Sequence, residues 1–96
     1  MSKITVVAKV VAKKVAVEAV KAELLKLIVP TRKESGCIEY RLHQDNQYPA
    51  VFFFCETWED AGSLEKHINT DHYKAYVRAV HEMIEEKVVN KMTRIE

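Results

Sequence analysis

The chain has 96 residues, with 15 Lys plus Arg against 14 Asp plus Glu and a net charge of +1. That length predicts one domain, residues 1–96, with a thin core burying roughly 60–65% of the unfolded surface. The lysines are spread along the chain rather than clustered, which excludes a nucleic-acid binder relying on a basic field. Hydrophobic residues make up 48% of the chain, more than one thin core can cover, so a partner subunit is expected. Cys37 and Cys55 lie far apart with no CxxC spacing and read as reduced thiols of a cytoplasmic protein. The N-terminal MSKITVVAKVVAKK alternates and lacks a small-residue cleavage site, so it reads as a strand rather than a signal peptide. No apolar run approaches the roughly 20 residues of a membrane span, and no membrane insertion is expected.

Lys3 to Ala12 is rich in Val and Ile and predicts a strand. Ile4, Val6, Ala8 and Val10 share one face, while Thr5 and Lys9 alone interrupt Val7 and Val11 on the other. A strand apolar on both faces is covered on both. Lys13 to Ser35 predicts a helix, with Val17, Val20, Leu24, Leu27 and Ile28 forming its apolar stripe. Pro30 predicts a kink, with the helix resuming through Thr31 to Glu34. Ser35-Gly36 is the stop signal, with glycine expected in the left-handed cap.

Cys37 to Gln44 predicts a second strand, DNQYP a turn, and Ala50 to Trp58 a third strand, the two strands paired as a hairpin. Asp60 is the expected N-cap of a short helix through Ile68, and Thr70 or Asp71 caps the next, running to about Met83. Lys87 to Ile95 completes the series as a strand carrying Val88 or Val89, Met92 and Ile95. The order β-α-β-β-α-β is the α+β ferredoxin-like pattern, a four-stranded antiparallel sheet with helices on one face. Because the second face is also apolar, the expectation is a homodimer in which two sheets meet face to face.

The stretch ETWEDAGSLEKHINTDHYKAY, Glu56 to Tyr76, brings a Trp, two His and two Tyr to one apolar space. Such a cluster can take protons and hold a flat ring. Gly36 and Gly62 are the only glycines, so no glycine-rich nucleotide loop exists. Glu56 is expected to sit in an ion pair with Arg41 or Lys91. His67 and His72 stand five residues apart across a helix break, and no third ligand is evident, so no metal site is expected.

The whole chain resembles the antibiotic biosynthesis monooxygenase family, closest to its quinol monooxygenase branch. The residues that carry the resemblance are VPTRKESGCIEY at the end of the first helix, E-x-W at Glu56–Trp58, L-x-x-H at Leu64–His67 and T-x-H-x-x-A-Y at Thr70–Tyr76. The resemblance implies a small dimer oxidising a quinol or related hydroxylated aromatic with molecular oxygen, without metal, flavin or haem, in a pocket between helices and sheet. The family histidines fall on His67 and His72, which it implies are catalytic. Trp58, Phe52, Phe54, Tyr40 and Tyr76 would hold the substrate. A haem-degrading branch of the same fold is rejected, because its key positions are occupied here by Val10, His67 and Val77. An isomerase branch acting on a phosphorylated sugar-like signal stays open, with Arg32, Lys33 and Lys74 as its cations, as does a non-catalytic binder on the same scaffold.

Overall fold

The computed structural model describes residues 2–96. Strands β1 (Ile4–Ala12), β2 (Cys37–Gln44), β3 (Val51–Trp58) and β4 (Ile84–Met92) form one sheet in the order β2-β3-β1-β4. Every neighbouring pair is antiparallel, the ferredoxin-like arrangement expected from the element order. Helices α1 (Val17–Lys26), α2 (Ile28–Arg32), α3 (Ala61–Ile68) and α4 (Asp71–Val80) complete the chain.

The alternation of β1 and β3 decides which side chains the helices cover. Val6, Ala8, Val10 and Ala12 of β1 are buried, as are Phe52, Phe54, Glu56 and Trp58 of β3. The intervening Val7, Val11, Phe53 and Cys55 are half-buried on the open face. Val20, Leu24 and Leu27 close the core from the helical side, with Val17 and Ile28 against its edge. These five are the stripe the periodicity marks.

The long first helix is divided differently from the expectation. A 3-10 turn covers Lys14–Ala16, α1 ends at Lys26, and the break falls at Leu27 rather than at Pro30. Leu27 is a junction, its N–H bonded back to Leu24 O at 3.1 Å and its O accepting from Thr31 N at 3.0 Å. The early break puts Pro30 in the first turn of α2, where a missing N–H costs no helical bond. The helix does not resume to Glu34, since α2 stops at Arg32.

Gly36 does not adopt the left-handed conformation. A Cβ there would collide with the side chain of Ser63, so the glycine serves a close approach to α3. β3 begins at Val51, one residue after the expected start. The last helix ends at Val80, where a turn returns Met83 N to Val80 O at 2.8 Å. β4 is set earlier than expected, at Ile84–Met92, and Ile95 lies beyond it, 96% exposed. Val88 and Val89 are similar in hydropathy but alternate across the sheet, and Val89 is the one on the helix-covered side, opposite Ala8.

Candidate active site

Three rows of the covered face make the floor of a cavity. Lys91, Val6, Glu56 and Tyr40 stand side by side on β4, β1, β3 and β2; the next rows are Val89, Ala8, Phe54, Leu42 and Lys87, Val10, Phe52, Gln44. Above the floor, α3 supplies Leu64 and His67 and α4 supplies Tyr73 and Tyr76, enclosing about 180 Å³. Such a volume suits one or two rings rather than a large ligand.

Local structure holds the helical wall in place. Asp60 caps α3 as expected, accepting from Ser63 N at 2.8 Å and Ser63 Oγ at 2.9 Å. Thr70 caps α4, accepting from Tyr73 N at 3.2 Å, and its hydroxyl donates to His67 O at 2.7 Å. One side chain therefore ties the end of α3 to the start of α4, fixing His67 relative to His72.

The two histidines converge on a residue the sequence did not single out. His67 Nδ1 lies 2.8 Å and His72 Nε2 2.7 Å from the same oxygen, Glu34 Oε2. A carboxylate oxygen accepts, so each of those ring nitrogens carries the hydrogen. His67 Nε2 is then the unprotonated nitrogen, on a ring that lines the cavity. Burial holds the His67 imidazolium disfavoured, below the ordinary histidine range, with Glu34 opposing that shift and His72 adding to it. Glu34 lies just after α2, where Gly36 lets the chain approach α3. Glu34 lies within the VPTRKESGCIEY segment that carries the family resemblance, but no spacing there singles it out, and its 33-residue separation from His67 makes the contact a product of the fold.

The structure brings His67, Tyr40, Phe54 and Tyr76 to the cavity. It places the other expected residues behind the walls. His72 is half-buried beside Glu34 and does not line the cavity, and Phe52 is buried in the floor beneath it. Trp58 is fully buried and also off the lining. Its indole N–H donates to Glu56 Oε1 at 2.9 Å, and its rings lie 4.7 Å from the His67 ring.

Tyr40 stacks on Phe54 with centroids 4.4 Å apart, and its phenol, like that of Tyr76, is pushed above its ordinary range by burial. Arg32 fixes the Tyr40 backbone, donating to its carbonyl from Nε at 3.2 Å and Nη2 at 2.8 Å.

Glu56 departs from its expected ion pair. Arg41 instead pairs with Glu39 at 2.7 Å. Lys91 is two strands away across Val6, about 10 Å at ordinary strand spacing. Burial raises the Glu56 carboxyl to about 7, with the Trp58 N–H pulling the other way. The sequence signal that could have found it is its position two residues before Trp58 on the covered face. The cations that line the cavity are Lys87 and Lys91 of β4, not Arg32, Lys33 or Lys74. Lys87 Nζ donates to the Tyr73 hydroxyl at 2.8 Å.

The reason for expecting no metal site also changes, because a third ligand type is present. Glu34, His67 and His72 offer three donor atoms within 4.8 Å of one another. The 2.7–2.8 Å distances from the Glu34 oxygen to the two ring nitrogens are those of hydrogen bonds between protonated nitrogens and a carboxylate. A cation would have to replace both protons.

A ferredoxin-like chain with a histidine–carboxylate pair and aromatic rings around a cavity between sheet and helices is a small α+β protein with room there for a small molecule. This chain belongs to the antibiotic biosynthesis monooxygenase family, whose model matches residues 3–79. A Pseudomonas aeruginosa protein of known structure is 31% identical, with a TM-score of 0.96 over 100% of this chain and 97% of that one. A conserved Methanosarcina mazei protein is 34% identical, with a TM-score of 0.90 over 99% and 95%. An antibiotic biosynthesis monooxygenase is 28% identical, with a TM-score of 0.91 over 97% and 99%. Among curated proteins, an uncharacterised Synechocystis protein is 28% identical over 68 residues, 71% of this chain but only 46% of that protein. The match thus spans about half the length of that curated relative.

Proposed function

We propose that the protein is a cofactor-independent monooxygenase that oxidises a quinol or related hydroxylated aromatic with molecular oxygen. The observation that carries this reading is the Glu34–His67 pair opening into an aromatic cavity. His67 Nε2 removes a proton from a ring hydroxyl, and Glu34 fixes the tautomer and steadies the imidazolium that forms. His72 Nε2 donates to the same Glu34 oxygen and so helps hold it. The resulting quinolate is electron-rich enough to pass one electron to oxygen, and the radical pair recombines at a ring carbon. For a 1,4-quinol, the balance is quinol plus O₂ giving hydroxyquinone plus water. One oxygen atom enters the ring, the other leaves as water, and the four electrons come from the substrate. Phe54, Tyr40 and Tyr76 hold the ring and keep water out.

Two copies joined through the open sheet face complete the proposal, since Val7, Val11, Phe53 and Cys55 stand half-buried there in a single chain.

The test is oxygen uptake by chelator-treated protein given a reduced naphthoquinol, beside a protein-free control. Uptake above the control that falls at least about 100-fold in His67→Ala supports the reading. Uptake equal to the control overturns it for these substrates. Uptake restored only by added divalent cation would transfer the chemistry to a metal held by Glu34, His67 and His72.

A further inference from the structure

The cavity contains a second titratable group that the proton abstraction above does not use. Glu56 lines the floor and is 5% exposed. Its Oε1 accepts the Trp58 indole hydrogen at 2.9 Å, and no cation reaches it within ion-pairing distance among the described residues. Its Oε2 has no protein partner. Yet Thr31 Oγ1 is the one side-chain polar atom among the described residues that is both sealed from solvent and unpartnered. The unpartnered Oε2 is therefore open to the cavity.

We propose that Glu56 is a substrate-binding residue whose carboxyl donates a hydrogen bond to a ring oxygen across from the one His67 serves, so that the preferred substrate is a ring bearing two oxygens, a 1,4-quinol, rather than a simple phenol. This rests on the oxygenase reading for its chemistry, but the binding claim stands or falls separately. Trp58 sets the geometry, since its N–H holds Glu56 while its rings rest against His67. The quinolate formed at His67 spreads its charge over both ring oxygens. A donor waiting at the far one stabilises that charge without reorganisation. Glu56 shares the cavity with Tyr40 from β2, Lys87 and Lys91 from β4, Glu65 and His67 from α3 and Tyr73 and Tyr76 from α4, with Glu34 behind His67. Burial outweighs the attraction of Lys87 and keeps the carboxyl protonated up to about pH 7.

The experiment is anaerobic titration of the protein with 1,4-naphthalenediol and with 1-naphthol, read by the fluorescence of its one tryptophan. The expected result is at least tenfold tighter binding of the diol, a preference that Glu56→Ala abolishes. A carboxylate that merely supports Trp58 would, on removal, weaken both ligands equally and leave the ratio unchanged, which overturns the proposal. Equal binding of the two ligands to the unaltered protein overturns it as well. A companion pH titration of the emission without ligand should show an inflection near 7 that Glu56→Gln removes and His67→Ala retains. An inflection that survives Glu56→Gln assigns it elsewhere and removes the protonated donor. Because no oxygen is present, these outcomes are independent of whether turnover is found.

Discussion

The two faces of the one sheet are built from alternate residues of the same strands, yet they differ in kind. The helix-covered face includes, among its apolar side chains, Tyr40 and Glu56, and faces His67 across a cavity. The open face sets Val7, Val11 and Phe53 beside Thr5 and Thr57, with Lys9 bridged to Glu86 at 3.8 Å. On the covered side a polar group is costly unless bonded, and Glu56 and His67 each carry a specific partner, with Thr31 Oγ1 the one sealed side-chain polar atom left unpartnered among the described residues. On the open side no side chain is fully buried, so polar and apolar residues mix without such constraint. On the proposed reading, a strand apolar on both sides divides its labour, with chemistry under the helices and association outside.

Substitutions on the two faces should separate these roles. The largest effect is expected from Phe52→Ala, which empties a site 1% exposed at the base of the floor. It should cost about 3–5 kcal/mol by chemical denaturation, enough to unfold a marginal domain. Next is Glu56→Gln. The folded state keeps a proton to about pH 7 that the unfolded chain releases from 4.5 upward. Wild-type stability therefore falls across that window and levels off above it. The variant removes this slope, so it should be more stable than wild type by roughly 3 kcal/mol at pH 8 and little different at pH 4. Denaturation curves at the two pH values would decide it; a gap that widens toward acid would reverse the sign and refute a buried neutral carboxyl.

Glu34→Gln should lower turnover about 10–100-fold, or roughly 1.4–2.7 kcal/mol, while leaving substrate affinity close to wild type. A rise in KM alone would mean that Glu34 shapes the cavity rather than serving His67. Thr70→Ala should cost about 1 kcal/mol as a lost cap, measured as a shift in denaturation midpoint. On the opposite face, Phe53→Glu should change the fold's stability least at equal protomer state, yet convert a dimer to monomers in sedimentation velocity. A monomeric wild type would end the proposed division of labour.

The fold was legible because its signals are local and strong. The Val-rich β1 and aromatic β3 alternate cleanly, and Asp60 and Thr70 mark their helices by capping chemistry. The first helix was legible as a stripe but not as a break, because Pro30 is as compatible with a helix start as with a kink, and only the Leu27 junction distinguishes them. At the site, His67, Tyr40, Phe54 and Tyr76 stand at the cavity because residue type and facing agree. Trp58 and Phe52 share the same face but lie beneath the lining, a depth that alternation does not encode. Glu34 sits in a segment that carries the family resemblance, yet its role was not legible for a different reason: a glutamate in a turn has no periodic pattern, and its partners lie 33 and 38 residues away. Glu56 was legible as a polar residue on a covered face, but charge complementarity points to cations, while in the fold its partner is the Trp58 indole N–H and Lys91 stands two strands away without pairing to it.

The contact between Gly36 and Ser63 has a bearing on how this chain can vary. The two residues share one volume, and a methyl added at the first lands on the side chain of the second. Tolerance at either position therefore depends on its neighbour, and the pair should behave epistatically. In a library randomised at both sites, Gly36→Ala should return with function only alongside Ser63→Gly. Diversity at these two positions would be correlated, even though neither touches the substrate.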